Sequence, residues 1–108
     1  MELKAVLAFV RRSALDKVED KLHEIGVKGL TMMKVKGHGE YADFFSRNGM
    51  IEYVEMMIFT EKTKAEAVTA AIMEAAHTGV PGDGIVAVLP VDKVFHIRTR
   101  SEVAPADL

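Results

Sequence analysis

The sequence predicts an α+β sandwich in which two helices cover one face of a single sheet. Three observations carry that expectation. Strand-like and helix-like segments alternate in the order β-α-β-β-α-β. Both helical segments open on a capping-box pattern, Ser13-Ala14-Leu15-Asp16 and Thr63-Lys64-Ala65-Glu66. The chain has 108 residues, the size of one compact domain, and 49% of them are hydrophobic.

Leu3, Ala5, Leu7 and Phe9 alternate through the first strand, which becomes apolar on both faces toward its end and so belongs inside the sheet. Arg11-Arg12 stops it. Leu15, Val18, Leu22 and Ile25 follow at helical spacing, with Asp16, Lys17, Glu19, Asp20 and Lys21 on the wet face. Gly26 closes this helix as a left-handed cap. Leu30 to Lys36 reads as a second strand and Ile51 to Thr60 as a third, with Val54, Met56 and Ile58 on one face and Tyr53, Glu55, Met57 and Phe59 on the other. Their connection, from Gly37 to Met50, is far longer than a hairpin needs; loops of that size usually carry function. Ala67, Val68, Ala71, Ile72 and Ala75 give the second helix a narrow stripe that can approach a sheet closely. Ile85 to Val88 forms another strand and Val94 to Arg98 a further one. Residues 101–108 read as a loosely held tail after a single domain spanning 1–100. This is the ferredoxin-like arrangement. Because parallel crossovers are right-handed, both helices fall on one sheet face. The other face, with Met57, Phe59, Val35 and Met33, is left apolar and bare, which predicts an oligomer.

Composition narrows the function. Lys and Arg number 14 and Asp and Glu 16, a formal charge of −2, which disfavours nucleic acid as a partner. The topology also occurs in RNA-binding domains, for which Tyr53 and Phe59 are the available surface aromatics. No apolar run reaches the ~18 residues of a membrane span, so no insertion into a membrane is expected. The first residues have no signal-peptide character, and the absence of cysteine removes disulfides and thiolate chemistry. A cytoplasmic protein is expected. The four histidines lack metal-ligand spacing, and the pairs Met32-Met33 and Met56-Met57 read as core filling. No nucleophile, acid and base can be assembled, so an enzyme is not expected.

The segment Gly79-Val80-Pro81-Gly82-Asp83-Gly84 is the most informative. Glycines at this density let backbone N–H groups converge on an anion, although an ordinary helix-to-strand turn would also use them. Gly37-His38-Gly39 offers a second close approach of backbone. His96 and Arg98 fall on one strand face with Arg100 just beyond, a set suited to neutralising phosphate.

Three blocks resemble the PII signalling family: Ile25-Gly26-Val27-Lys28-Gly29-Leu30-Thr31 running into Val35-Lys36-Gly37-His38-Gly39; Ala75-Ala76-His77-Thr78-Gly79-Val80-Pro81-Gly82-Asp83-Gly84; and Val94-Phe95-His96-Ile97-Arg98-Thr99. The resemblance implies a homotrimer assembled through the sheets, with an adenine nucleotide in the clefts between subunits. It implies that Thr31, Gly37 and Phe59 border the adenine, that the amides around Gly82, Asp83 and Gly84 cradle phosphate, and that Arg98 comes from the neighbouring subunit. His38, Gly39, His96, Thr99 and Arg100 complete the expected set. The loop over 37–50, with Glu40, Tyr41, Asp43, Phe44, Phe45 and Arg47, corresponds to the family's T-loop, which docks on a target protein such as a transporter or an enzyme.

The chain departs from the family pattern where charge matters. Glu40 and Tyr41 stand in place of Arg-Gln, Ile85 in place of the Lys after G-D-G, His96 in place of an Arg, Tyr53 in place of the Lys ending the T-loop, and Met57 in place of a Glu. Each lost charge-assisted contact is worth about 1.5–3 kcal/mol. The expectation is a divergent PII-like protein that prefers ADP, AMP or a cyclic nucleotide to ATP. The alternatives are a sensor of bicarbonate or another small anion, and a metal-handling trimer like the CutA family, using His38, Glu40 and Asp43. No cofactor or resident metal is expected.

Overall fold

A computed structural model describes residues 2–37 and 51–108. Strand β1 runs Leu3–Arg11, a 3-10 turn covers Arg12–Ala14, and helix α1 spans Leu15–Glu24. Then come β2 (Thr31–Gly37), β3 (Ile51–Glu61), α2 (Lys62–Ala76) and β4 (Gly84–Val91). Two short strands, β5 (Phe95–His96) and β6 (Ser101–Glu102), and a 3-10 turn at Pro105–Asp107 close the chain. The expected element order is present. The main sheet has the order β2-β3-β1-β4 with every neighbouring pair antiparallel, so β1 is interior.

Period-two alternation decides which side chains go inside. Val6, Ala8 and Val10 of β1 lie beside Val54, Met56 and Ile58 of β3 and are buried under the helices. Val18 and Leu22 come down from α1, and Ala65, Val68, Ala71, Ile72 and Ala76 from α2. The α2 stripe is therefore shifted from the expected one: Ala67 is exposed, while Ala65 and Ala76 are inside. The alanines keep the helix near the sheet, and Ile72 and Val68 fill the remaining depth.

Neither capping box forms. The N-cap of α1 is Ala14, without a side-chain hydrogen bond, because a 3-10 turn absorbs Ser13 and the Leu15 N–H donates to the Arg12 carbonyl. Helix α2 follows β3 with no intervening residue, so Thr63 is already in its first turn and Glu61 is the cap. Its first amide, of Lys62, donates to the Glu2 carbonyl at 3.0 Å, so backbone from the β1 lead-in replaces the side-chain cap. At the other end of α1 the expected glycine stop is present. Gly26 has φ +87°, its N–H donates to the His23 carbonyl and the Val27 N–H to the Leu22 carbonyl, a Schellman motif.

Three expectations are corrected. Of the paired methionines only Met56 is in the core; Met32 and Met33 are exposed on β2, which is an edge strand with no neighbour beyond it among the described residues. Val94 to Arg98 is not one strand. Only Phe95–His96 is extended, and the chain turns over Ile97–Arg100 to pair back through Ser101–Glu102. The last eight residues are also tied down: Val103 is buried, its N–H donates to the Val94 carbonyl at 2.8 Å, and the final turn packs on β3.

The sheet face away from the helices carries Ala5, Leu7 and Phe9, flanked by Met57 and Phe59 on one side and Ile85, Ala87 and Leu89 on the other. Ile85, Leu89 and Phe59 are exposed there. No helix of the described residues is long and apolar enough to cross a membrane.

Candidate anion loop and the family it belongs to

The loop from α2 to β4 is organised by one carboxylate. Helix α2 ends when His77 turns extended, and the chain then passes through three positive-φ glycines, Gly79 (+88°), Gly82 (+101°) and Gly84 (+105°). Asp83 folds back over the helix end. Its Oδ2 accepts the N–H of Thr78 at 2.8 Å and of Gly79 at 3.0 Å, and its Oδ1 accepts the Thr78 hydroxyl. The Thr78 hydroxyl oxygen in turn accepts the Val80 N–H at 3.3 Å. Arg11, projecting from the end of β1, lies 3.3 Å from Asp83 Oδ1 and donates to the Pro81 carbonyl at 3.0 Å. The Thr78 hydroxyl first, then the Thr78 amide, the Gly79 amide and the Arg11 guanidinium, hold the Asp83 carboxyl down at about 2, against a smaller opposing effect of burial.

This arrangement gives the Asp83 side chain a role beyond the one expected of its amide. Its carboxylate is the loop's internal anion, satisfying the amides at the helix end. The Asp83 amide closes the turn over Pro81 and Gly82, the Gly82 amide has no acceptor among the described residues, and Pro81 has no N–H to offer. Gly84 fixes where these amides sit. A Cβ on it would fall 1.8 Å from the Phe9 carbonyl oxygen, so only glycine lets the start of β4 lie against β1. Ile85, immediately after, is 65% exposed and apolar. Sequence reasoning missed Arg11, which reads as a strand stop; its one signal is a charged residue one step beyond the β1 position, Val10, that pairs with Gly84.

The remaining predicted residues are spread over the subunit. Thr31 opens β2, its hydroxyl donating to the Met57 carbonyl at 3.4 Å, and Gly37 ends the same strand opposite Ile51. Phe59, 40% exposed, lines a cleft of about 190 Å³ together with Gly29, Lys28, Lys64 and Leu108. Phe59 pairs with Ala5 and Gly84 with Val10, so the two stand five residues apart along β1, about 17 Å at the usual rise. A single copy of the chain therefore does not gather the residues expected to border adenine with those expected to cradle phosphate. Arg98, Thr99 and Arg100 sit on the β5–β6 turn, exposed, with Thr99 Oγ1 and Ser101 Oγ 2.7 Å apart; His96 ends β5. His38, Gly39, Glu40, Tyr41, Asp43, Phe44, Phe45 and Arg47 lie outside the described residues, and with them the ligands of the metal-handling alternative. Among the described residues no three His, Asp or Glu side chains cluster in a way that could hold a metal.

Comparison with known proteins agrees with the geometry. The family model described as nitrogen regulatory protein P-II matches residues 3–101. The nitrogen regulatory protein P-II of Azospirillum brasilense is 36% identical over 104 residues, covering 90% of this chain and 93% of that protein. The nitrogen fixation nifHD region glnB-like protein 1 of Methanococcus maripaludis is 38% identical over 104 residues, covering 92% and 97%. Among solved structures, Arabidopsis thaliana PII bound to citrate superposes with a TM-score of 0.80 at 33% identity, covering 94% of this chain and 85% of that one. With the sheet order, the glycine-rich loop and this extent of similarity in hand, the chain belongs to the nitrogen regulatory protein P-II family.

Proposed function

We propose that the protein is a cytoplasmic, non-enzymatic regulator that works as a homotrimer. It binds an adenine nucleotide between subunits and acts through the 37–50 loop on a target transporter or enzyme. The observation that carries this reading is the Gly79–Gly84 loop. Asp83 and Arg11 tie the loop down with the Gly82 amide unclaimed among the described residues and three positive-φ glycines around it, a geometry suited to a phosphoryl group. Assembly is supported by the apolar, uncovered sheet face and by the separation of Thr31 and Phe59 from the loop, which a second copy can bridge. The charge balance favours fewer phosphates. Arg11 is already matched by Asp83, Ile85 adds no cation, and each missing charge-assisted bond weakens a triphosphate by roughly tenfold or more. ADP, AMP or a cyclic nucleotide is therefore bound in preference to ATP.

A second reading has one observation in its favour. The similar Arabidopsis thaliana PII structure is bound to citrate, a small polyanion without a base. The same loop could take such an anion, bicarbonate included. One experiment separates the two: melting curves of the full chain with AMP, ADP, ATP, cyclic AMP, citrate and bicarbonate. A ligand at one hundred times its Kd contributes about 2.7 kcal/mol. ADP or AMP is expected to raise the midpoint most. A response to citrate or bicarbonate with none to any nucleotide would replace the nucleotide reading by the small-anion one.

A further inference from the structure

Arg100 is the one non-glycine residue with positive φ among the described residues, at +54°. It is the last residue of the four-residue turn Ile97–Arg100, where the chain must turn left-handed to bring Ser101 back opposite His96. Glycine or asparagine adopts that conformation with little strain, whereas a long side chain does not. The turn cannot relax around it. The Phe95–Glu102 and His96–Ser101 pairs, the Thr99–Ser101 hydroxyl contact and the Val103 to Val94 hydrogen bond fix both ends. Nor do the described residues repay the strain: the side chain is exposed, and no carboxylate among them pairs with it or with Arg98. Two arginines two residues apart, next to an Ile97 that is 94% exposed, are presented outward to solvent.

We infer that Arg100 is a specificity-determining ligand: its guanidinium takes the outer phosphate of a diphosphate and so sets the preference for ADP over AMP. This rests on the nucleotide reading. A site whose loop cation, Arg11, is matched by Asp83 and whose next residue is Ile85 needs positive charge from elsewhere to hold a second phosphate. Arg100 supplies it at the cost of a strained backbone, a trade that strained residues at ligand sites commonly make.

The test uses the full chain with Arg100→Gly and Arg100→Lys. Kd is measured calorimetrically for AMP, ADP and inorganic pyrophosphate, and the melting midpoint without ligand. Arg100→Gly is expected to lose about tenfold or more for ADP and pyrophosphate and less than threefold for AMP, with an unliganded midpoint unchanged or higher. Arg100→Lys, keeping the charge on the same backbone, retains a larger ADP-to-AMP ratio than Arg100→Gly. Equal losses for AMP and ADP, no loss for either, or a midpoint lowered by several degrees would overturn the inference. Failure of the unsubstituted protein to bind any nucleotide would instead bring down the nucleotide reading, and this inference with it.

Discussion

Replacing Gly84 by alanine tests whether the close approach of β4 to β1 holds the anion loop in place. The added methyl meets the Phe9 carbonyl oxygen at 1.8 Å and its carbon at 2.9 Å, both backbone atoms that no rotamer change can move aside. An alanine at φ +105° carries strain of about 1–2 kcal/mol. Separating the strand ends forfeits at least one ladder hydrogen bond and leaves its groups unsatisfied, about 2–3 kcal/mol more. The sum, about 3–5 kcal/mol, is a large share of the ~5–15 kcal/mol that stabilises a small domain. With about 2.1 cal/mol/K of unfolding entropy per residue, a 108-residue chain melts about 13–22 °C lower. The assay is thermal unfolding by circular dichroism at one fixed protein concentration, since the midpoint of an oligomer depends on it. Gly29→Ala is the control: its Cβ meets nothing within 4 Å, and a change of about 0.5 kcal/mol or less is expected. A Gly84→Ala midpoint within 3 °C of the unsubstituted protein would refute the reasoning, because β4 would then have room that the geometry denies it.

Two further outcomes follow from the same physics. Asp83 has a folded pKa held at about 2, below its ordinary 3.8, so its contribution is full above the higher value and lost as pH falls through the lower. In an amide-resolved NMR titration the Thr78 and Gly79 N–H shifts should stay constant to about pH 3 and move through a midpoint near pH 2; a midpoint at the ordinary 3.8 or above would show that these groups do not hold the carboxylate. Leu89→Lys places a charge on the bare sheet face, beside Ala5 and away from the anion loop. Sedimentation velocity should show a smaller species than the unsubstituted protein at the same concentration, and an unchanged mass would mean that this face is not the assembly surface.

Much of the fold was legible because burial follows periodicity. Val54, Met56 and Ile58 against Tyr53, Glu55, Met57 and Phe59 separates the helix-facing side of β3 from the other, and the order of elements then leaves few topologies. Gly26 was legible for a similar reason, since one residue type answers one backbone need. The helix starts were not. Whether Ser13 or Thr63 caps a helix depends on which other acceptor reaches the first amides, and at α2 that acceptor is the Glu2 carbonyl, sixty residues away in sequence. The same limit applies to the site. The glycine-rich segment announces an anion loop, but which group fills which amides depends on Arg11 crossing from another strand and on Asp83 folding back onto the helix end. The hairpin at 95–102 escaped notice because two-residue strands carry no periodicity, and with it went the firm attachment of the tail.

That attachment has a practical corollary. Leu108 forms part of the wall of the cleft that Phe59, Lys28 and Lys64 share. A bulky group attached at position 108 would press on that wall, crowding whatever enters. A small environment-sensitive dye at position 108, by contrast, would report occupancy of the cleft directly as a change in emission, without labelling the guest.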